Sequence, residues 1–166
     1  MLWQKIDQDL LAALKNKDGF SVSLIRMVKA AFLRKEKEKR LSLFRKTPDL
    51  TESELGEKSS LSDEEAVEII FSEVKKREEA SGQFIIGKRF DLAEKEKKEA
   101  EYLKKYLPSP LPEEDIVEMA KEAISEVGAK DKKDIGRVMA KLTLKTKNRA
   151  SGEIVSRIVA DLIGDG

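Results

Sequence analysis

A chain of 166 residues is long enough to bury a core and to divide into two small domains. It has no cysteine and no histidine, which excludes disulfides, thiol nucleophiles, Cys-ligated zinc and the commonest general base. Its 33 basic and 32 acidic residues nearly cancel, so bulk positive charge is excluded as a basis for nucleic-acid binding, while local basic faces are not.

Residues 2–16 place Leu2, Trp3, Ile6, Leu10 and Leu14 on one helical side. The sequence NKDG (16–19) ends that helix, with Gly19 as its left-handed stop. Ser21 opens a second helix with the apolar stripe Val22, Ile25, Val28 and Phe32, widened by Leu24, Met27 and Ala31. The two helices read as an antiparallel hairpin. Residues 26–46 hold nine basic and two acidic residues, a net of +7, and the charged run LRKEKEKR is expected to project past the core. Residues 49–80 reverse the sign, with eleven acidic and four basic residues, a net of −7.

Pro48 begins a polar stretch through Ser60 that reads as a mobile loop. Ser62 with Glu65 is a capping box, after which Val67, Ile70, Phe71 and Val74 form a third stripe. Gly82 and Gly87 predict a bend or break near Gly87. Asp91 with Glu94 restarts the helix, whose sparse apolar side is Leu92, Ala100, Leu103 and Leu107. Pro108, Pro110 and Pro112 then mark a boundary: a residue before proline avoids the helical region, so the helix stops by Leu107. Pro112 suits the first turn of the next helix, with Glu113, Glu114 and Asp115 at its positive end. Ile116, Val117, Ala120 and Ile124 face inward, and Gly128 ends that helix.

Read as a helix from Asp131, the next stretch buries Ile135, Val138, Met139 and Leu142. The other side carries Lys133, Arg137, Lys141 and Lys145 at four-residue spacing, a cationic ridge continued by Lys147 and Arg149 in a short link. Ser151 can cap a last helix that buries Ile154, Val155, Ile158, Val159 and Leu162. Between Lys130 and Arg149 eight basic residues face two acidic ones, a net of +6. This is a surface for a polyanion; on periodicity alone it is equally a solvated helix face. Met139 and Trp3 read as core residues, and Gly136 as a point of close helix packing. No segment alternates with period two for long enough to be a strand. The expected fold is all-α: an N-terminal helical domain (1–107) of a hairpin and long bent helices, then a three-helix C-terminal domain (108–166).

No phosphate-binding glycine motif, nucleophile elbow or zinc-binding HExxH is present. Capping accounts for Glu64 and Glu65, so no catalytic residue, metal or cofactor is assigned. The N-terminus runs straight into an amphipathic pattern with Lys5 and Asp7, and no apolar run approaches the ~20 residues of a membrane span. A cytoplasmic protein without a signal peptide or membrane association is expected.

Four pieces, in order along nearly the whole chain, carry a family resemblance: SLIRMVKAAF (23–32), LSDEEAVEII (61–70), RFDLAEKEKKEAEYLKKYLPSPL (89–111) and GRVMAKLTLKTKNRASGEIVSRIV (136–159). They resemble the YqeY family, relatives of the tail domain of the B subunit of the glutamyl/aspartyl-tRNA amidotransferase. Where that family tends to have Gly before the Arg-Ala pair and an acidic residue after it, this chain has Asn148 and Ser151. Asn tolerates left-handed backbone and Ser is a good cap, so both keep the local geometry. Pro112 replaces a more usual Ser or Thr cap.

The resemblance implies tRNA binding linked to tRNA-dependent amidation or aminoacylation, with an amidotransferase or aminoacyl-tRNA synthetase as partner. A family label of carbon–nitrogen ligase with glutamine as amido donor goes with it. The cradle that activates the tRNA-linked carboxylate and the glutaminase subunit are separate from this tail, so that chemistry is not expected here. The implied RNA-binding residues are Lys133, Arg137, Lys141, Lys145, Lys147 and Arg149. Tyr102 and Tyr106 are the only aromatics near them in sequence, which favours backbone and shape recognition over base stacking. The alternative is a helical protein-interaction module without RNA binding, in which the charged second helix and acidic segment address a protein.

Overall fold

The computed structural model describes residues 1–164 and divides into two compact units, Met1–Tyr106 and a second from Leu107 onward. Among the described residues there are eight α-helices and no strand, so the chain is all-α. None of these helices is long and apolar enough to cross a membrane.

The first unit opens with α1 (Leu2–Lys15) and α2 (Gly19–Lys46). Asp18 caps α2 by accepting from the Ser21 N–H at 3.1 Å, so this helix starts at Gly19 and not at Ser21. The left-handed residue that stops α1 is Lys17 (φ 54°), not Gly19. The Asp18 N–H returns to the Ala13 carbonyl (2.9 Å) and the Lys17 N–H to that of Leu14 (3.2 Å), the bond pair that closes a left-handed helix end. Between the helices Ile6 and Phe32 are fully buried, each burial stabilising by about 1.5–3 kcal/mol. The half-buried Trp3 meets Phe32 edge-on at 4.8 Å.

The stretch that reads as a loop is instead largely helical. Thr51 accepts from the Glu54 N–H, and Glu54 accepts in return from the Thr51 N–H at 2.9 Å, a capping box that starts α3 (Glu52–Ser59). Leu55, 3% exposed, anchors this helix, which packs on α2. The far end of α2 is therefore covered on one flank and does not project bare on that side. Arg40 pairs with Glu52, Lys39 donates to Glu65 (2.7 Å) and to the Ser60 carbonyl (2.9 Å), and the Leu61 N–H donates to Glu36 (3.2 Å).

Helices α4 (Asp63–Ile86) and α5 (Phe90–Lys104) form a long hairpin. The capping box of Ser62 and Glu65 starts α4 as expected. The break falls at Gly87, but the residue that turns left-handed is Lys88 (φ 57°). Helix α5 begins at Phe90, one residue before Asp91, and buries Ala93, Ala100 and Leu103, while Leu92 and Leu107 are only half-buried. Arg77, 6% exposed, sits inside this hairpin and donates to Glu73 (2.9 Å) and Glu99 (3.1 Å). Burial pushes the Glu73 carboxyl up, but Lys76 and Arg77 outweigh it and hold it below its ordinary value.

The second unit is a three-helix bundle of α6 (Glu113–Val127), α7 (Ile135–Thr146) and α8 (Gly152–Gly164). Its core joins Leu111, Ile116, Ala120 and Ala123 to Val138 and Leu142, and to Val155, Ile158, Val159 and Ile163. Pro112 occupies the cap position just before α6 and not its first turn. Gly128 (φ 66°) closes that helix as its sequence position predicts. Residues Lys132–Asp134 form a 3-10 turn, so α7 starts four residues later than Asp131. Asn148 takes φ 60° in the link after α7, a left-handed conformation that Asn tolerates better than most residues. Ser151 then accepts from the Ile154 N–H at 3.3 Å, capping α8.

Candidate nucleic-acid interface

Helix α7 has one buried edge, made by Val138, Leu142 and Thr146, with Ile135 and Met139 half-buried beside it. The 3.6-residue turn then places Arg137, Lys141 and Lys145 along the flank of that edge that borders α6, not opposite it, and all three are exposed. Between and beside them Gly136, Ala140 and Leu144 also face solvent, Leu144 at 79% exposure. A Cβ added at Gly136 would meet nothing within 4 Å. Gly136 therefore does not serve close helix packing, as its type suggested; it leaves the backbone open next to Arg137.

The ridge is not a row of free charges. Arg137 donates to Asp134 at 3.1 Å and to the Val127 carbonyl at 3.1 Å. Lys141 pairs with Glu126, and Lys145 with Glu122 at 3.6 Å. Glu122 and Glu126 lie one turn apart on α6, and the antiparallel register of α6 and α7 lines them up with the lysines. Over residues 122–149 the balance is thus eight cations to four carboxylates, a smaller excess than the α7 segment suggests alone.

The least encumbered charge sits where the two helices turn. The Asp131 side chain accepts from the Lys133 N–H at 2.8 Å, and Asp134 from the Lys130 N–H at 3.0 Å. That backbone bond, with the Arg137 guanidinium, outweighs desolvation and holds the Asp134 carboxyl below its ordinary value. The ammonium groups of Lys130, Lys132 and Lys133 have no carboxylate partner among the described residues. Of these three, only Lys133 stands out from spacing along the ridge.

The last two candidates lie in the link. Lys147 is exposed there. Arg149 is partly structural: its Nε donates to the Ser109 carbonyl at 3.0 Å, and its own carbonyl accepts from the Leu111 N–H at 2.9 Å, stapling the proline-rich segment to the bundle. Tyr102 and Tyr106 are engaged inside the first unit. Tyr106 is buried and donates to Asp9 at 2.6 Å, while Lys105 stands 3.8 Å from the centre of the Tyr102 ring.

A sequence model of the family described as Yqey-like protein matches residues 3–163. No curated protein matches the chain.

Proposed function

The chain belongs to the YqeY family, and on that premise we propose that it is a tRNA-binding accessory module, acting beside an enzyme of tRNA-dependent amidation or aminoacylation. The observation that carries this reading is the exposed flank of α7, where Arg137, Lys141 and Lys145 stand in a row beside the outward Gly136, Ala140 and Leu144. Exposed ion pairs contribute only about 0–1 kcal/mol, so these cations can trade Glu122, Glu126 and Asp134 for phosphate oxygens. Lys133 extends the same edge towards the turn. Amide chemistry on the tRNA-linked carboxylate belongs to the partner enzyme, and this chain contributes the grip.

Phosphate contacts release condensed counterions, so binding by Lys133, Arg137, Lys141 and Lys145 has a slope of log affinity against log salt of about −3 to −4. Arg137→Glu with Lys141→Glu flattens that slope by about 2 and weakens different tRNAs alike, because phosphate contacts position without reading sequence. The matched control is Arg34→Glu with Lys37→Glu, two exposed cations of α2 without a carboxylate partner among the described residues. Lys39 is unsuitable as a control because it holds Glu65 and Ser60. Equal loss from both pairs, or loss from neither, refutes the reading.

A further inference from the structure

We propose that the outward face of α2 docks an acidic amphipathic helix of a partner protein. At about 100° per residue, Leu33, Lys37, Leu41 and Phe44 fall on one line spanning roughly 16 Å of the helix. Leu33, Leu41 and Phe44 are 50%, 51% and 53% exposed. Single exposed apolar residues are ordinary surface, but three large ones in register along a helix are an unpartnered stripe. The inner side of α2 is already occupied, with Ile25, Val28 and Phe32 buried. Helix α3 covers only a flank, through Arg40 and Leu55.

Charge decides what fits the stripe. Lys37 stands within it and Arg34 and Arg45 border it, none with a carboxylate partner among the described residues. The two acids of the segment are engaged, Glu36 by the Leu61 N–H and Glu38 by Lys35 at 3.7 Å. A second copy of this face would set cation against cation. RNA would satisfy Lys37 and stack a base on Phe44, but it has no use for Leu33 and Leu41. An anionic lipid surface would accept the same side chains, with Lys37 snorkelling to its headgroups, so vesicles enter the test as a competing occupant. A helix with apolar residues at i, i+4, i+7 and flanking glutamates answers both features at once.

The probe is a fluorescein-labelled peptide of about 18 residues, five helical turns, with leucines at that spacing in a glutamate-rich background. It is titrated into the full-length protein alongside a scrambled peptide of identical composition. The ordered peptide is expected to bind at least about tenfold more tightly than the scrambled one. Leu41→Glu with Phe44→Glu abolishes that preference, and Lys37→Glu weakens the ordered peptide by about two- to fivefold. Because these side chains are exposed, the variants should melt like the parent. If the double variant melts lower, Leu41→Ser takes its place and must still lose the preference. Arg137→Glu with Lys141→Glu should bind the peptide normally, which separates this face from that of α7. Equal binding of ordered and scrambled peptides overturns the proposal. So does an α2 double variant that loses only phosphatidylserine vesicles or only tRNA, since the face then serves lipid or RNA.

Discussion

Lys141 of α7 and Glu126 of α6 form a direct ion pair across two antiparallel helices, and Lys145 repeats it with Glu122 one turn away at 3.6 Å. Any phosphate arriving at this face competes with carboxylates already in place. The pairs thus act as a built-in competitor, one that weakens binding without removing a contact.

Glu122→Gln with Glu126→Gln is therefore expected to tighten tRNA binding by about two- to fivefold for each pair relieved. Titration of one tRNA at fixed salt checks it, with circular dichroism to show unchanged helicity. Weaker binding in the double variant would place the tRNA elsewhere.

Arg77 is the opposite case, an ion pair taken out of water, with side-chain exposures of 7% for Arg77 and 12% for Glu73. Arg77→Ala leaves Glu73 with Lys76 alone (2.9 Å) and Glu99 with Lys95 at 3.9 Å, and should cost about 1–3 kcal/mol in urea unfolding. Arg77→Met combined with Glu73→Gln and Glu99→Gln should recover most of that loss. A triple variant no more stable than Arg77→Ala would show that the charges themselves hold the hairpin.

Acid should destabilise the first unit in a defined window. Burial raises the Glu73 and Asp9 carboxyls, but Lys76 and Arg77 around the first, and Tyr106 and Lys105 around the second, hold them below their ordinary values of 4.5 and 3.8. The folded state therefore binds fewer protons than the unfolded one, and stability rises with pH through this range. Urea midpoints should stay level from neutral pH down to about 5, then fall as the depressed values are crossed. Glu73→Gln should soften that acid limb; an unchanged limb would shift the effect to other carboxylates.

Helix α3 hangs on one side chain. Its eight residues are too few to hold a helix in isolation, and Leu55 is its buried anchor. Leu55→Ala should cost about 2–5 kcal/mol and speed tryptic cleavage after Lys58 several-fold. In the parent this segment should resist the protease, in contrast to the behaviour of a mobile loop.

How much of this can be read from the residues depends on the range of the interaction. The buried faces of α7 and α8 follow from period alone, since Val138, Leu142, Val155 and Val159 sit where a stripe must be. The capping box of Ser62 and Glu65 is equally local. The same pattern at Thr51 and Glu54 was legible in principle, but Leu55 is the only apolar residue behind it, and its burial depends on α2. Helix ends at Lys17 and Lys88 defy the preference for glycine: the left-handed residue costs only about 1–2 kcal/mol, and the closing backbone bonds from the Asp18 N–H to Ala13 and from the Arg89 N–H to Phe84 offset it. The carboxylates that temper the ridge lie on another helix. Glu122 and Glu126 become relevant only once Gly128 has turned the chain back and fixed the register.

The neutralisation of the far end of α2 has a consequence in time. Lys39 and Arg40 find their counter-charges in Glu65 and Glu52, residues 26 and 12 positions further along the chain. At ribosomal speeds of about 5–20 residues per second, Glu65 emerges roughly 1–5 seconds after Lys39. During that interval the nascent segment 26–46 carries its net charge of +7 without its acidic complement, beside ribosomal RNA that is itself a polyanion. Translation order makes the birth of α2 its most adhesive moment, and a permuted chain with residues 49–80 ahead of α2 would remove that phase.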